Sequence, residues 1–132
     1  AWTVAADTAG TLTFDNGASN AVLTSNGATN VISAPVTISG NGILDVTATS
    51  NLTLSGALSG GTAINFDVAA TSTLTLSGGV GAGTAINKSG DGTLLVNVAS
   101  TISTGALTVT EGAVTLKGTG TFTSTFTSIS NA

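Results

Sequence analysis

Polar and apolar residues alternate one by one along nearly the whole chain, and apolar positions nowhere recur at the three-to-four spacing of a helix face. The alternation predicts strands at Trp2–Ala5, Thr11–Phe14, Ala21–Thr24, Pro35–Ile38, Ile43–Thr47 and Asn51–Leu54. It continues at Ala63–Val68, Ser72–Leu76, Thr93–Val98, Ala106–Thr110, Ala113–Lys117 and Thr121–Ile129. Turn signals separate them: Asp15-Asn16-Gly17, Ser25-Asn26-Gly27, Gly40-Asn41-Gly42, Gly78-Gly79 and Asp91-Gly92. Asn-Gly and Asp-Gly pairs reach positive φ at little cost, which marks tight corners.

An internal repeat organises these strands. Residues 52–65 read LTLSGALSGGTAIN and residues 74–87 read LTLSGGVGAGTAIN, identical at ten of fourteen positions with an offset of 22. A weaker third copy at the same offset places Gly105–Val109 where Gly61–Asn65 and Gly83–Asn87 stood. A 22-residue unit with about three short strands matches one coil of a β-solenoid (a parallel β-helix), whose coils stack through strand-to-strand hydrogen bonds. Six such units, an extrapolation from the faint upstream half, would give a rod on the order of 28 Å long at ~4.8 Å per coil. Residues 1–132 are therefore expected to form one repetitive, all-β domain. The alternative is an antiparallel β-sandwich with strand donation, because the repeat also suits two hairpins. Stacking predicts an inward aliphatic column of Leu52, Leu54, Leu74, Leu76, Leu94 and Val96. It also predicts a side-chain amide ladder of Asn65 over Asn87.

Composition narrows the picture. The chain has no His, Cys, Met or Tyr, one Trp, one Pro, and 41% hydrophobic residues of which few are aromatic. Disorder requires low hydrophobicity with high charge, the reverse of this balance. Small aliphatics suit a thin core between closely spaced sheets. Two Lys against six acids, a net charge of −4, argue against nucleic acid and against an anionic membrane surface. No apolar run approaches the ~20 residues of a spanning helix, so no membrane insertion is expected. No charged and apolar leader precedes Ala1-Trp2, so any export signal is expected to have been removed. Sparse charge, abundant Thr, Ser and Asn, and the absence of oxidisable residues favour a secreted, extracellular setting.

Candidate chemistry is thin. General acid–base work favours His or a perturbed carboxylate pair, and Asp7, Asp15, Asp45, Asp67, Asp91 and Glu111 are scattered. Asp15 and Asp91 open turns, where Asp bonds the backbone two residues on. Asp45 and Asp67 lie 22 apart and would stack on neighbouring coils, facing solvent or sharing a cation. Neither Lys88 nor Lys117 sits in a context that activates a serine. Gly78-Gly79-Val80-Gly81 begins like a calcium-binding nonapeptide of solenoids but lacks its carboxylate. The chain is expected to be no enzyme and to hold no metal or cofactor. The row Thr119, Thr121, Thr123, Thr125 and Thr127, with Thr71, Thr73 and Thr75, resembles the ice-binding face of some antifreeze solenoids. Such a face needs threonine at one place on most coils; the ordinary reading is Thr's strand propensity.

Residues 86–116, INKSGDGTLLVNVASTISTGALTVTEGAVTL, resemble the passenger-associated repeat of bacterial autotransporter adhesins. The matching positions are Lys88, Gly90, Gly92, Thr93, Leu94 and Val96, then Gly105, Val109, Gly112 and Val114. The chain departs from the family pattern over Val98–Thr104, which has no Tyr. The resemblance covers about a quarter of the chain. It implies a right-handed β-helix exported to the bacterial cell surface, with adhesive or scaffold roles, and either a passenger fragment or a stand-alone relative.

A solenoid exposes unpaired backbone groups at both ends, and natural proteins usually cap or charge them. Neither end of this chain supplies a charged or helical cap. Trp2 and Val4 at one end, and Phe122, Phe126 and Ile129 read as one face at the other, are candidate assembly positions through strand addition. The expected function is a self-assembling bacterial surface fibre subunit whose partner is itself, in a head-to-tail homopolymer. A stalk or adhesin passenger fragment, touching a host or matrix surface, is the alternative, and an ice-binding solenoid is the distant one.

Overall fold

β-Branched and aliphatic residues alternate with Thr, Ser and Asn, so each segment has one face to bury, and a coil buries all of them at once against its neighbours. The computed structural model describes residues 1–99 and 102–130, and every side chain among them but that of Phe126. The first rung comprises β1 (Thr3–Val4), β2 (Leu12–Phe14) and β3 (Ala21–Ser25); the second β4 (Asn30–Ile32), β5 (Val36–Ile38) and β6 (Ile43–Ala48). The third comprises β7 (Leu52–Leu54), β8 (Leu58–Ser59) and β9 (Ala63–Val68), and the fourth β10 (Thr73–Leu76) and β11 (Ala85–Ser89). β12 (Thr93–Asn97) and β13 (Ile102–Val109) make the fifth, and β14 (Ala113–Lys117) and β15 (Phe122–Ile129) the sixth.

Every ladder is parallel. One six-stranded sheet runs β1-β4-β7-β10-β12-β14, a second runs β3-β6-β9-β11-β13-β15, and a shorter third runs β2-β5-β8. The chain is a β-solenoid of about five turns, with no helix among the described residues. The antiparallel sandwich is thereby excluded. Over most of the chain successive rungs are 20 to 22 residues apart: Thr73 lies on Thr93, Ile86 on Leu107 and Leu52 on Leu74. Near the N-terminus the spacing widens, with Leu12 on Val36 and Thr3 on Val31. Longer corners in the first turn are therefore why the repeat is faint upstream.

The aliphatic columns lie inside. Leu52, Leu74 and Leu94 stack directly, as do Leu54, Leu76 and Val96, all at most 2% exposed. On the second sheet Leu44, Ile64, Ile86 and Leu107 form one column, and Val46, Phe66, Lys88 and Val109 another. Burying a Leu, Ile or Phe in this way is worth roughly 1.5–3 kcal/mol each.

Several expectations change. β4, β8 and β11 were not anticipated; β4 and β8 are very short, and β11 carries Asn87 and Lys88 where strands usually carry apolar or β-branched residues. The third repeat copy is offset by 21, not 22, because Leu107 lies on Ile86 and Thr108 on Asn87. A one-residue slip would turn Leu107 and Val109 out of the core, and burial decides the register. Asp45 and Asp67 do not stack, because β6 and β9 pair at an offset of 20: Asp45 lies on Asn65, and Asp67 lies between Thr47 and Ser89.

Candidate assembly interface

The last rung is built like those beneath it, and among the described residues no strand pairs with its outer edge. Val114 and Leu116 continue the inner columns over Leu94 and Val96, and Phe122 stands over Ile102. Leu116 is 58% and Ile129 74% exposed, whereas Val96 and Val109, one rung down in the same columns, are 2% and 6%. Together Leu107, Val109, Val114, Leu116, Phe122 and Ile129 line an open apolar cleft of about 340 Å³ at this end of the core.

The first rung mirrors it. Val4 is aligned with Ile32, Leu12 with Val36, Phe14 with Ile38 and Leu23 with Val46, and all four are only partly covered. A cleft of about 320 Å³ opens here between Val4, Leu12 and Ala34. Trp2 donates its backbone N–H to Asn30 Oδ1 at 3.0 Å, and its carbonyl accepts from Val31. The fully buried Asn30 in turn donates to Ser25 Oγ at 2.9 Å and to the Asn26 carbonyl at 3.1 Å. An interior amide is thus fully engaged, as burial demands.

Phe122 and Ile129 align with the buried Ile102 and Val109, on the inner side of the sheet. Thr104 and Gly105 are both buried in succession, so β13 changes parity there and β15 follows it. Two residues seven apart, Phe122 and Ile129, thus lie over inward positions, and Phe126 pairs through its backbone with Ala106. The Phe126 side chain lies outside the described ones. The same parity change brings Thr127 to the inner cleft, breaking the predicted threonine row. A different threonine column exists on the first sheet: Thr3, Thr53, Thr75 and Thr115, with Val31 and Leu95 in the two remaining rungs.

Outside the second sheet runs a polar ladder longer than the Asn65–Asn87 pair. Asn87 Nδ2 donates to Asn65 Oδ1 at 2.7 Å, and Asn65 Nδ2 donates to Asp45 Oδ1 at 2.6 Å. From the other direction Asn41 Nδ2 donates to Asn20 Oδ1 at 2.7 Å, and Asn20 Nδ2 to Asp45 Oδ2 at 2.9 Å. Amides have direction, so two runs approaching head-on need an acceptor-only group between them, and the carboxylate supplies it. Asp45→Ala should cost about 1–2 kcal/mol by leaving two amide donors without their acceptor, while Asp45→Asn should cost less. Urea denaturation of both variants checks this; equal costs would contradict the ladder's polarity.

Lys88 lies in the core column between Phe66 and Val109, only 1% exposed. Its Nζ donates to the carbonyls of Ser89 (2.7 Å), Gly90 (2.6 Å) and Glu111 (3.3 Å), one acceptor per ammonium N–H. Glu111 Oε2 accepts from the Gly90 backbone N–H at 3.1 Å, closing the same corner. Burial pulls the Lys88 ammonium below its ordinary value of 10.5, against the upward pull of Asp67, Glu111 and Asp91. Asp15 is an Asx-turn acceptor: Oδ1 takes the Gly17 N–H at 2.8 Å and Oδ2 the Ser39 hydroxyl at 2.7 Å. These two bonds hold its carboxyl below the usual range.

Among the described residues no His, Cys, Asp and Glu cluster could hold a metal ion. The structural surprises are Lys88, Asp45 and the cleft residues Leu107, Val109, Val114 and Leu116. Residue parity could have revealed Lys88, since it stands two positions after inward Ile86. No family model, curated protein or solved structure matches the chain.

Proposed function

We propose that this chain is a structural, extracellular fibre subunit of a bacterial surface, assembling end to end through its terminal rungs. The observation that carries the reading is the pair of terminal rungs whose outer edges no strand pairs with among the described residues, each beside a largely apolar opening. Free parallel edges of this kind invite another strand. The two ends differ, so their contact is heterologous; repetition without closure gives a filament. The resemblance of residues 86–116 to an autotransporter passenger repeat falls on β11–β14 and supports a surface setting. It equally supports a second reading, in which further coils of a longer stalk cover these ends.

Sedimentation velocity of the 132-residue chain across a hundredfold concentration range separates the two. Assembly predicts fast-moving polymer that grows with concentration and disappears on dilution. A single monomeric species throughout contradicts it. An ice-binding role is the weakest reading, because Val31 and Leu95 interrupt the threonine column.

A further inference from the structure

The ends of the solenoid carry enough register information to specify how two copies would meet. We propose that the first rung of one copy docks in parallel register on the last rung of another, continuing the core columns across the joint: Trp2 over Val114, Val4 over Leu116 and Leu23 over Ile129. This rests on the assembly reading above and adds the identity of the partner surface and its alignment.

Three observations carry it. The first is continuity. The column Val4–Ile32–Leu54–Leu76–Val96–Leu116 is unbroken through all six rungs, and so is Leu23–Val46–Phe66–Lys88–Val109–Ile129. One more parallel rung at either end extends both columns with aliphatic on aliphatic. A shift of one residue would instead set outward Thr3 against Leu116, which burial forbids. The second is the opening itself: exposed Leu116 and Ile129 are the members of those columns left without a covering rung.

The third is charge. The chain has two cations; Lys88 is buried, and Lys117 is exposed on the last rung, over Asn97. In the proposed register Lys117 comes over Ala5 of the neighbouring copy, two residues from exposed Asp7. The first rung carries the acids Asp7 and Asp15 and no lysine or arginine. Lys117 of one copy therefore comes near Asp7 of the next across the joint, whereas two copies meeting by their last rungs would bring Lys117 toward Lys117. The edges also lack the features that usually block pairing: β1 and β14 contain no proline, and the one charge on β14 is the Lys117 that the joint uses.

Cysteine trapping tests the register, since the chain has no cysteine of its own. Thr3 and Thr115 are exposed and occupy one outward column, so Thr3→Cys with Thr115→Cys would place the two sulfurs on adjacent parallel strands of neighbouring copies. Under mild oxidation this double variant is expected to give a disulfide-linked ladder of multimers on a non-reducing gel. Thr3→Cys with Thr123→Cys, which lies on another face over Ser103, is expected to give at least about tenfold less. Equal trapping by both pairs, or no ladder in preparations that contain filaments, overturns the register and leaves assembly standing. Absence of filaments from the unmodified chain overturns both. Lys117→Glu should raise the concentration needed for assembly about threefold, as expected for a rim charge pair. Adding Asp7→Lys should restore it, and failure of that restoration removes the charge contact.

Discussion

Replacing Lys88 by alanine is expected to lower stability by about 3 kcal/mol, from three carbonyls losing their donor and from the space left beside Phe66. The Nζ holds the carbonyls of Ser89, Gly90 and Glu111, so it ties the corner after β11 to the corner before β14. Lys88→Met keeps most of the volume and should lose about half as much, since only the hydrogen bonds go. The pH dependence separates this account from mere space filling. The folded ammonium titrates below 10.5 and the unfolded one at its ordinary value, so the unfolded chain binds more protons between the two. Stability contributed by Lys88 therefore rises with pH through that window. Denaturant midpoints measured from pH 8 to 11 should show the rise in the parent and lose it in Lys88→Met; identical profiles would contradict the assignment.

Gly56→Ala should be comparably damaging, at about 3 kcal/mol, for a steric reason that needs no unusual φ. A Cβ at Gly56 would collide with the carbonyl of Ala34, and one at Gly78 with the carbonyl of Gly56. The corner backbones of rungs two, three and four pass so closely that hydrogen is the only side chain the upper two accommodate. Gly79→Ala is the informative comparison. Its φ is 89°, but nothing lies within 4 Å of a Cβ there, so only the left-handed strain of about 1–2 kcal/mol remains. Thermal unfolding of both variants should rank Gly56→Ala as clearly the less stable. The opposite ranking would mean that the corner relaxes more freely than its stacking implies.

The middle of the solenoid was legible because two successive coils are near copies. Identical LTLSG segments place Leu74 on Leu52 and Leu76 on Leu54, and the shared TAIN places Asn87 on Asn65. Legibility fails where rung length changes. β6 and β9 pair at 20 residues, so the partner of Asp45 is Asn65 rather than Asp67, and a period of 22 conceals the ladder's centre. Long corners in the first turn separate Thr3 from Val31 by 28 residues and hide the upstream rungs altogether. Parity is the other limit. The successive inward residues Thr104 and Gly105 invert the alternation, which is why Phe122 and Ile129, seven residues apart, both align with buried residues, Ile102 and Val109. Lys88 was obscured by its charge, because lysine is rarely buried unless its ammonium is fully engaged.

End-to-end assembly of a β-rod is the central claim, and negative-stain microscopy of the purified 132-residue chain tests it most directly. The account predicts unbranched filaments of constant width, one solenoid across, that lengthen with protein concentration. A uniform field of single short particles at every concentration would contradict it.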